Sequence, residues 1–350
     1  MKTHSVLQPK PRKSASICVA GCGHWGRNLV RNFHALGHLG AICETHPAAL
    51  EKFAAEYSGV RGYASFTEAL EDPEIDAVAL ATPAEMHHAM ALEALRAGKD
   101  VFVEKPLALD VEEGQEIIET AAERGAVLMV GHLLRYHPAV LKIQEIIASG
   151  ALGRLEYIYS NRLSMGKIRH EENALWSFAP HDISVILALA GQVPVQVAAT
   201  GGAYFQPNIA DVTVSTLLFA NGARSHIFVS WLHPYKEQRL VVIGSKQMVV
   251  FEDTRPTDKL MSFDKRIEWR NGSIEAAKPV GTPIHFDPAE PLGRECAHFV
   301  DCVLERRAPV TNGEEGLRVL QVLQACQRSL QMNGEPVEVT SRGMRKLVAI

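Results

Sequence analysis

No apolar run in this 350-residue sequence reaches the roughly 20 residues needed to cross a bilayer, which argues against a helical membrane protein. There is no basic surplus either. With 36 Lys and Arg against 40 Asp and Glu, the net charge is −4, without the electrostatic footprint of a nucleic-acid partner. The six cysteines form no C-x-x-C pair and no disulfide framework, and Cys18, Cys43 and Cys326 fall in apolar runs as small core residues. No Cys/His/Asp grouping has metal-ligand spacing. His87 and His88 are adjacent on a predicted helix and point in different directions, so no metal is expected. Residues 1–14 are polar, carry Lys10, Arg12, Lys13 and two prolines, and lack the apolar middle of a secretory signal; a mobile tail is expected there. Internal repeats are absent. Together these absences predict a protein of a reducing, cytoplasmic setting.

What is present begins at Ile17-Cys-Val-Ala, an apolar strand that runs into Gly21-x-Gly23-x-x-Gly26 and then an amphipathic stretch, Arg27 to Leu36. Strand, glycine loop and helix in this order suit a dinucleotide. Gly21 permits the tight turn, Gly23 the approach of a pyrophosphate, and Gly26 close helix–strand packing, while His24 and Trp25 occupy the loop between them. The helix N-terminus adds partial positive charge. Glu44, 18 residues beyond Gly26, ends the next apolar run, where a carboxylate accepts both hydroxyls of the adenosine ribose and repels a 2′-phosphate. Neither Thr45 nor His46 supplies an arginine for that phosphate, so NAD is expected rather than NADP.

Apolar runs at 16–20, 39–43, 75–81, 100–103 and 126–130 alternate with amphipathic runs at 24–37, 47–57, 84–97 and 110–124, with a turn at Tyr63 and a helix near 66–71. Such alternation predicts a parallel sheet covered by helices, with its ligand edge at the strand C-termini. After about residue 131 the pattern changes. A helix over 138–149 precedes strands at 154–163, 193–203, 210–219, 223–231, 238–243 and 246–252, interrupted by a helix over 181–190, and helices at 289–306 and 313–332 close the chain. The expected class is α/β: a Rossmann domain over 15–131, then an α+β domain over 132–350 with a large, mostly antiparallel open sheet. One face of that sheet needs a cover, which predicts a homodimer or homotetramer.

Thr82-Pro83 and Glu104-Lys105-Pro106 end two strands on the ligand edge. With the glycine loop, His87, Gly98-Lys99-x-Val101, Gly131-His132, Arg135, Gly150-x-x-Gly153 and His181-Asp182, they resemble the Gfo/Idh/MocA oxidoreductases over nearly the whole chain after the tail. The resemblance implies a Rossmann domain followed by an open-sheet domain, NAD as cofactor, and cofactor contacts from Thr82, Pro83, His87, Glu104 and Lys105. It further implies a cis Lys105–Pro106 peptide, Lys105 facing the nicotinamide and the reacting hydroxyl, and His181 as the acid–base group at the start of a helix. A lysine beside a pyridinium cation is pushed toward its neutral form, and an imidazole titrates in the range that suits alcohol deprotonation. Asp182 is expected to serve the helix start first and the active site second.

Many relatives carry an aspartate four residues before the histidine. Ser177 stands there, which argues against an inositol- or glucose-type activity. The segment 173–182, with Trp231, Pro234, Lys236 and Arg239, is most similar to family members that oxidise the 3-hydroxyl of UDP-N-acetylglucosamine for an aminotransferase that makes the 3-amino sugar of lipid A. For such a substrate, Arg162, Arg169, Lys236 and Arg239 are candidate diphosphate ligands, and Arg135, Tyr136 and His137 candidate sugar contacts, with helix N-terminal packing as the other reading of Tyr136 and His137. The alternatives are UDP-N-acetylglucosaminuronate, a free polyol, or an NAD(H) sensor without turnover.

Overall fold

The computed structural model describes residues 14–166, 168–265, 267–270 and 272–339; the tail expected at 1–14 lies outside them except for Ser14. The chain opens with β1 (Ile17–Ala20), α1 (Gly26–Ala35), β2 (Leu39–Cys43), α2 (Pro47–Glu56), β3 (Arg61–Tyr63), α3 (Phe66–Glu71), β4 (Ala77–Leu80), α4 (His87–Arg96), β5 (Asp100–Glu104), α5 (Val111–Arg124) and β6 (Leu128–Gly131). These strands form one six-stranded sheet in the order β3-β2-β1-β4-β5-β6, with every pairing parallel. The order reverses between β1 and β4, and a dinucleotide binds where strand order reverses, outside the strand C-termini. Strands β1, β4 and β5 are buried along their whole length, as a sheet covered on both faces requires.

The remainder comprises α6 (Pro138–Ala148), β7 (Leu155–Leu163), α7 (Ala174–Ala190), β8 (Gln196–Gly202), β9 (Val212–Leu218), β10 (Arg224–Ser230), β11 (Glu237–Gly244), β12 (Gln247–Glu252), β13 (Leu260–Asp264), β14 (Ile267–Arg270), β15 (Ser273–Ala276), β16 (Gly281–Pro283), α8 (Pro291–Glu305), α9 (Gly313–Gln331) and β17 (Val337–Glu338). A nine-stranded sheet runs β16-β13-β12-β11-β7-β10-β9-β8-β17, antiparallel throughout except for the parallel pair β7–β10. Helix α7 packs on β7, β9 and β10. Alternation places Ile158, Ser160, Ser215, Leu217, Ser225 and Ile227 on the buried face, and Tyr157, Tyr159, Val214, His226 and Phe228 on the other, where they are partly or fully exposed.

Two corrections to the sequence reading have clear physical causes. The chain divides into two compact units, but not at 131/132: the first runs to Tyr136 and also takes Ala289–Leu320, and the second holds His137–Pro288 and the chain from Gln321 onward. Helix α8 belongs to the first unit because its Phe299 meets Phe33 and Phe102 edge-on, at ring-centroid distances of 6.3 and 5.6 Å. Helix α7 begins at Ala174, not at 181. Asn173 caps it by accepting the N–H of Trp176 at 3.1 Å, and Leu175, Ala179, Ile183 and Ile186 are buried along it. Capping and burial offset the roughly 3 kcal/mol that Pro180 costs inside a helix. The region of Tyr63, expected as a turn, is the short strand β3, and β13–β17 carry patterns too short to be predicted.

Candidate active site

The glycine loop has the shape of a phosphate cradle. Gly21 has φ +83°, and a Cβ there would lie 3.0 Å from the Ala81 carbonyl group. A Cβ on Gly26 would lie 1.8 Å from the Gly21 carbonyl oxygen, so only glycine lets α1 start this close to β1. In front of Gly23 the space is open: a Cβ there would meet nothing within 4 Å. No side chain caps α1, and no acid lies in its first turn. A helix start left open in this way suits an anion. His24 and Trp25 are both exposed on the same loop.

Glu44 closes the adenosine end. The N–H of Cys22 donates to its Oε2 at 2.9 Å, and the N–H of His46 to its Oε1 at 3.0 Å. The carboxylate is thereby held at the mouth of the loop, with lone pairs left for ribose hydroxyls. The open cradle, the uncapped helix and the fixed acid all fit NAD.

At the other end of the edge, Lys105 follows β5 and is partly exposed, and the Lys105–Pro106 peptide is cis. Its backbone N–H donates to Glu104 Oε2 at 3.3 Å, and the indole N–H of Trp25 donates to Glu104 Oε1 at 2.5 Å. Burial pushes the Glu104 carboxyl up to about 7, against the pull of the Trp25 N–H, the Lys105 ammonium and His132. Gly131 pairs with Glu104 across β5 and β6, and a Cβ there would sit 2.8 Å from Glu104 Oε2. The next residue, His132, places Nδ1 2.6 Å from Glu315 Oε2, and Arg135 donates to Glu315 Oε1 at 3.4 Å.

Two residues expected at ligands are interior struts instead. His87 is 1% exposed, with Nδ1 2.7 Å from the Pro106 carbonyl and Nε2 3.0 Å from the Thr82 carbonyl. It therefore braces Thr82 against the Lys105–Pro106 corner rather than facing a cofactor. Burial lowers its pKa, and Lys105 pushes the same way against the two carbonyls. Tyr136 is a core residue of the first unit, its hydroxyl 3.0 Å from Thr311 Oγ1, and burial holds its pKa high. Thr82 is partly buried beside Met90, and Pro83 is exposed.

In the second unit His181 lies within α7, partly exposed, with its Nδ1 buried. Adjacent helical residues diverge by about 100°, so Asp182 turns inward. Asp182 is 3% exposed and serves no helix start. It accepts Ser160 Oγ at 2.6 Å, Arg162 Nε at 2.8 Å and Arg162 Nη2 at 3.2 Å. Ser160 and Arg162 are two apart on β7 and share a face, so one carboxylate takes both. Arg162 is thus committed to Asp182 and not open to a diphosphate. Arg239 lies between Glu252 at 3.1 Å and Glu237 at 3.5 Å, and Arg169 pairs with Glu172 at 3.0 Å. Lys236 is exposed ahead of β11, and Ser177 is buried on α7.

No motif marks Glu295 or Glu315. The available signal is a carboxylate on an apolar helical stripe: Glu295 shares a face with Leu292 and Phe299. Among the described residues no cluster of three or more His, Cys, Asp or Glu could hold a metal ion, and no helix is long and apolar enough to cross a membrane.

Residues 15–132 match the Gfo/Idh/MocA oxidoreductase family, NAD-binding Rossmann fold, and residues 140–250 match the Gfo/Idh/MocA C-terminal domain, together more than half of the chain. The chain is similar to UDP-N-acetylglucosamine 3-dehydrogenase of Acidithiobacillus ferrooxidans, at 28% identity over 86% of this chain and 93% of that protein. It is equally similar, at 28% identity, to inositol 2-dehydrogenase of Rhizobium meliloti over 85% of this chain and 90% of that one. A solved structure of the Acidithiobacillus ferrooxidans enzyme superposes with a TM-score of 0.79 at 25% identity, covering 92% of this chain and 99% of the other. With the glycine cradle, the held Glu44 and the Glu104-Lys105-Pro106 corner in place, the chain belongs to the Gfo/Idh/MocA oxidoreductases and is an NAD-dependent dehydrogenase of that family.

Proposed function

We propose that the protein oxidises the 3-hydroxyl of a UDP-linked sugar, UDP-N-acetylglucosamine, to the 3-keto sugar that an aminotransferase then consumes. The observation that carries this reading is the near full-length likeness to the Acidithiobacillus ferrooxidans enzyme. Bound NAD supplies the hydride acceptor. The protein's own part is positioning and charge. The loop from Gly21 to Gly26 receives the pyrophosphate and Glu44 the adenosine ribose. His181 accepts the hydroxyl proton, and the Lys105 ammonium stabilises the alkoxide that develops on the sugar. Of the four candidates Arg162, Arg169, Lys236 and Arg239, Lys236 alone carries no ion pair among the described residues and is the first candidate for the diphosphate.

The test is incubation with NAD and UDP-N-acetylglucosamine, following NADH absorbance and trapping the keto product with an aminotransferase. NADH formation with a trappable product is expected, and Glu44→Ala should raise the KM for NAD with little change in kcat. Absence of NADH would sink the sugar assignment. A free polyol is the second reading, favoured by the equal likeness to inositol 2-dehydrogenase and opposed by Ser177. The same assay with inositol separates the two.

The exposed or half-exposed face of the nine-stranded sheet, with Tyr157, Tyr159, Val214, His226 and Phe228, supports subunit contact across it in a homodimer or homotetramer. Sedimentation should give twice or four times the chain mass, and a clean monomer would refute this.

A further inference from the structure

Trp25 and Glu104 join two parts of the first unit that lie far apart in sequence. The indole of Trp25 stands in the glycine loop and is 38% exposed, yet its N–H turns inward to Glu104 Oε1 at 2.5 Å. The same carboxylate accepts the backbone N–H of Lys105 on its other oxygen at 3.3 Å. One buried acid therefore spans the dinucleotide loop and the strand end that bears the reactive lysine. Its surroundings are charged on every side. Lys105 and His132 favour its ionised form. From α8, Glu295 is fully buried, with neither carboxyl oxygen hydrogen-bonded among the described residues, and it interacts electrostatically with Glu104 and Glu315. The Cys296 thiol also feels Glu104. Glu315 is itself engaged by His132 and Arg135.

We propose that Trp25 and Glu104 form a latch between the glycine loop and the Lys105 corner, and that Glu104 is a positioning residue for Lys105 whose ionisation closes the latch. An ionised carboxylate accepts the indole N–H in a charge-assisted bond, and a protonated one holds it far less firmly. The closed latch fixes the loop residue Trp25 and places a negative charge beside the Lys105 ammonium. The open latch releases both. Because burial brings Glu104 up to about 7, the change falls in the neutral range. The proposal rests on the NAD-binding reading of this unit and is independent of which sugar is oxidised.

The test uses the intact protein labelled with fluorotryptophan, which gives one 19F resonance for each of its four tryptophans. Trp25→Phe identifies the Trp25 resonance by its loss. That resonance is expected to titrate with a midpoint of about 7 in the wild type and to be flat with pH in Glu104→Gln. The glutamine amide oxygen still accepts the indole N–H but cannot ionise, so Glu104→Gln also preserves the contact if Trp25→Phe fails to fold. The pH dependence of NADH affinity, read by fluorescence titration, should share the midpoint and vanish in Glu104→Gln. In Trp25→Phe it should move to higher pH, because the lost N–H had favoured the ionised form. A Trp25 resonance that is constant between about pH 5.5 and 8.5, or that still titrates in Glu104→Gln through His132 or Glu295, overturns the latch. A chain that fails to oxidise UDP-N-acetylglucosamine but shows the titration refutes the sugar assignment alone.

Discussion

Replacing Lys105 by alanine should lower kcat about 10³-fold while leaving the affinity for NAD no weaker than in the wild type. The loss corresponds to roughly 4 kcal/mol of barrier, which is what a preorganised cation contributes when it faces a developing alkoxide in a site with little water. The sign of the binding effect follows from charge. Lys105 sits at the C-terminal end of β5 on the ligand edge, where a pyridinium cation would be its neighbour, so its removal relieves a repulsion and takes away no attraction. His181→Ala should fall to a similar level, and the double variant little further, because groups that serve one step are not additive. Lys105→Arg is not a conservative control, since a planar fork replaces a compact point charge. Initial rates from NADH absorbance, with NADH binding from fluorescence titration, separate turnover from binding. Turnover within a few-fold of wild type in Lys105→Ala would remove the lysine from the reaction.

Asp182→Ala should destabilise the second unit by about 3–5 kcal/mol, the cost of breaking a buried ion pair from one side. The side chain of Arg162 is 14% exposed and that of Asp182 3%, so deleting the acid strands a guanidinium and leaves the Ser160 hydroxyl without its acceptor. Asp182→Asn should cost less, because an amide oxygen still takes Ser160. Combining Asp182→Ala with Arg162→Met should recover part of the loss, as apolar replacement of both charges often does. Urea unfolding followed by near-UV circular dichroism reads the shift. NADH affinity should not change, because both residues lie outside the dinucleotide unit. A shift below about 1 kcal/mol would show that water already reaches this pair.

Local sequence carried the dinucleotide half of the fold well. The loop from Gly21 to Gly26 and the acid at Glu44 are constrained by one strand, one turn and one helix, so their spacing is their geometry. The same holds for the Lys105 corner, where a strand end fixes the position. The contacts that decide what each side chain does were not legible, because they join residues remote in sequence. His87 resembles a ligand until the carbonyls of Thr82 and Pro106 are seen to take both its nitrogens. Arg162 resembles a free cation until α7 lays Asp182 against it. The start of α7 is not legible locally because proline is a strong local stop signal, and the burial that overrides it is tertiary. Glu295 is inconspicuous in the sequence because a carboxylate in a helix is ordinarily a solvated one, and only the packing of α8 makes it an interior group.

The return of α8 to the first unit has a consequence for how the protein is made. Phe299 cannot meet Phe33 and Phe102 until residues 137–288 have been translated. At roughly 5–20 residues per second the ribosome holds the coenzyme lobe unfinished for some tens of seconds at the slower rate, its aromatic seam uncovered. The lobe encoded first is thus sealed among the last.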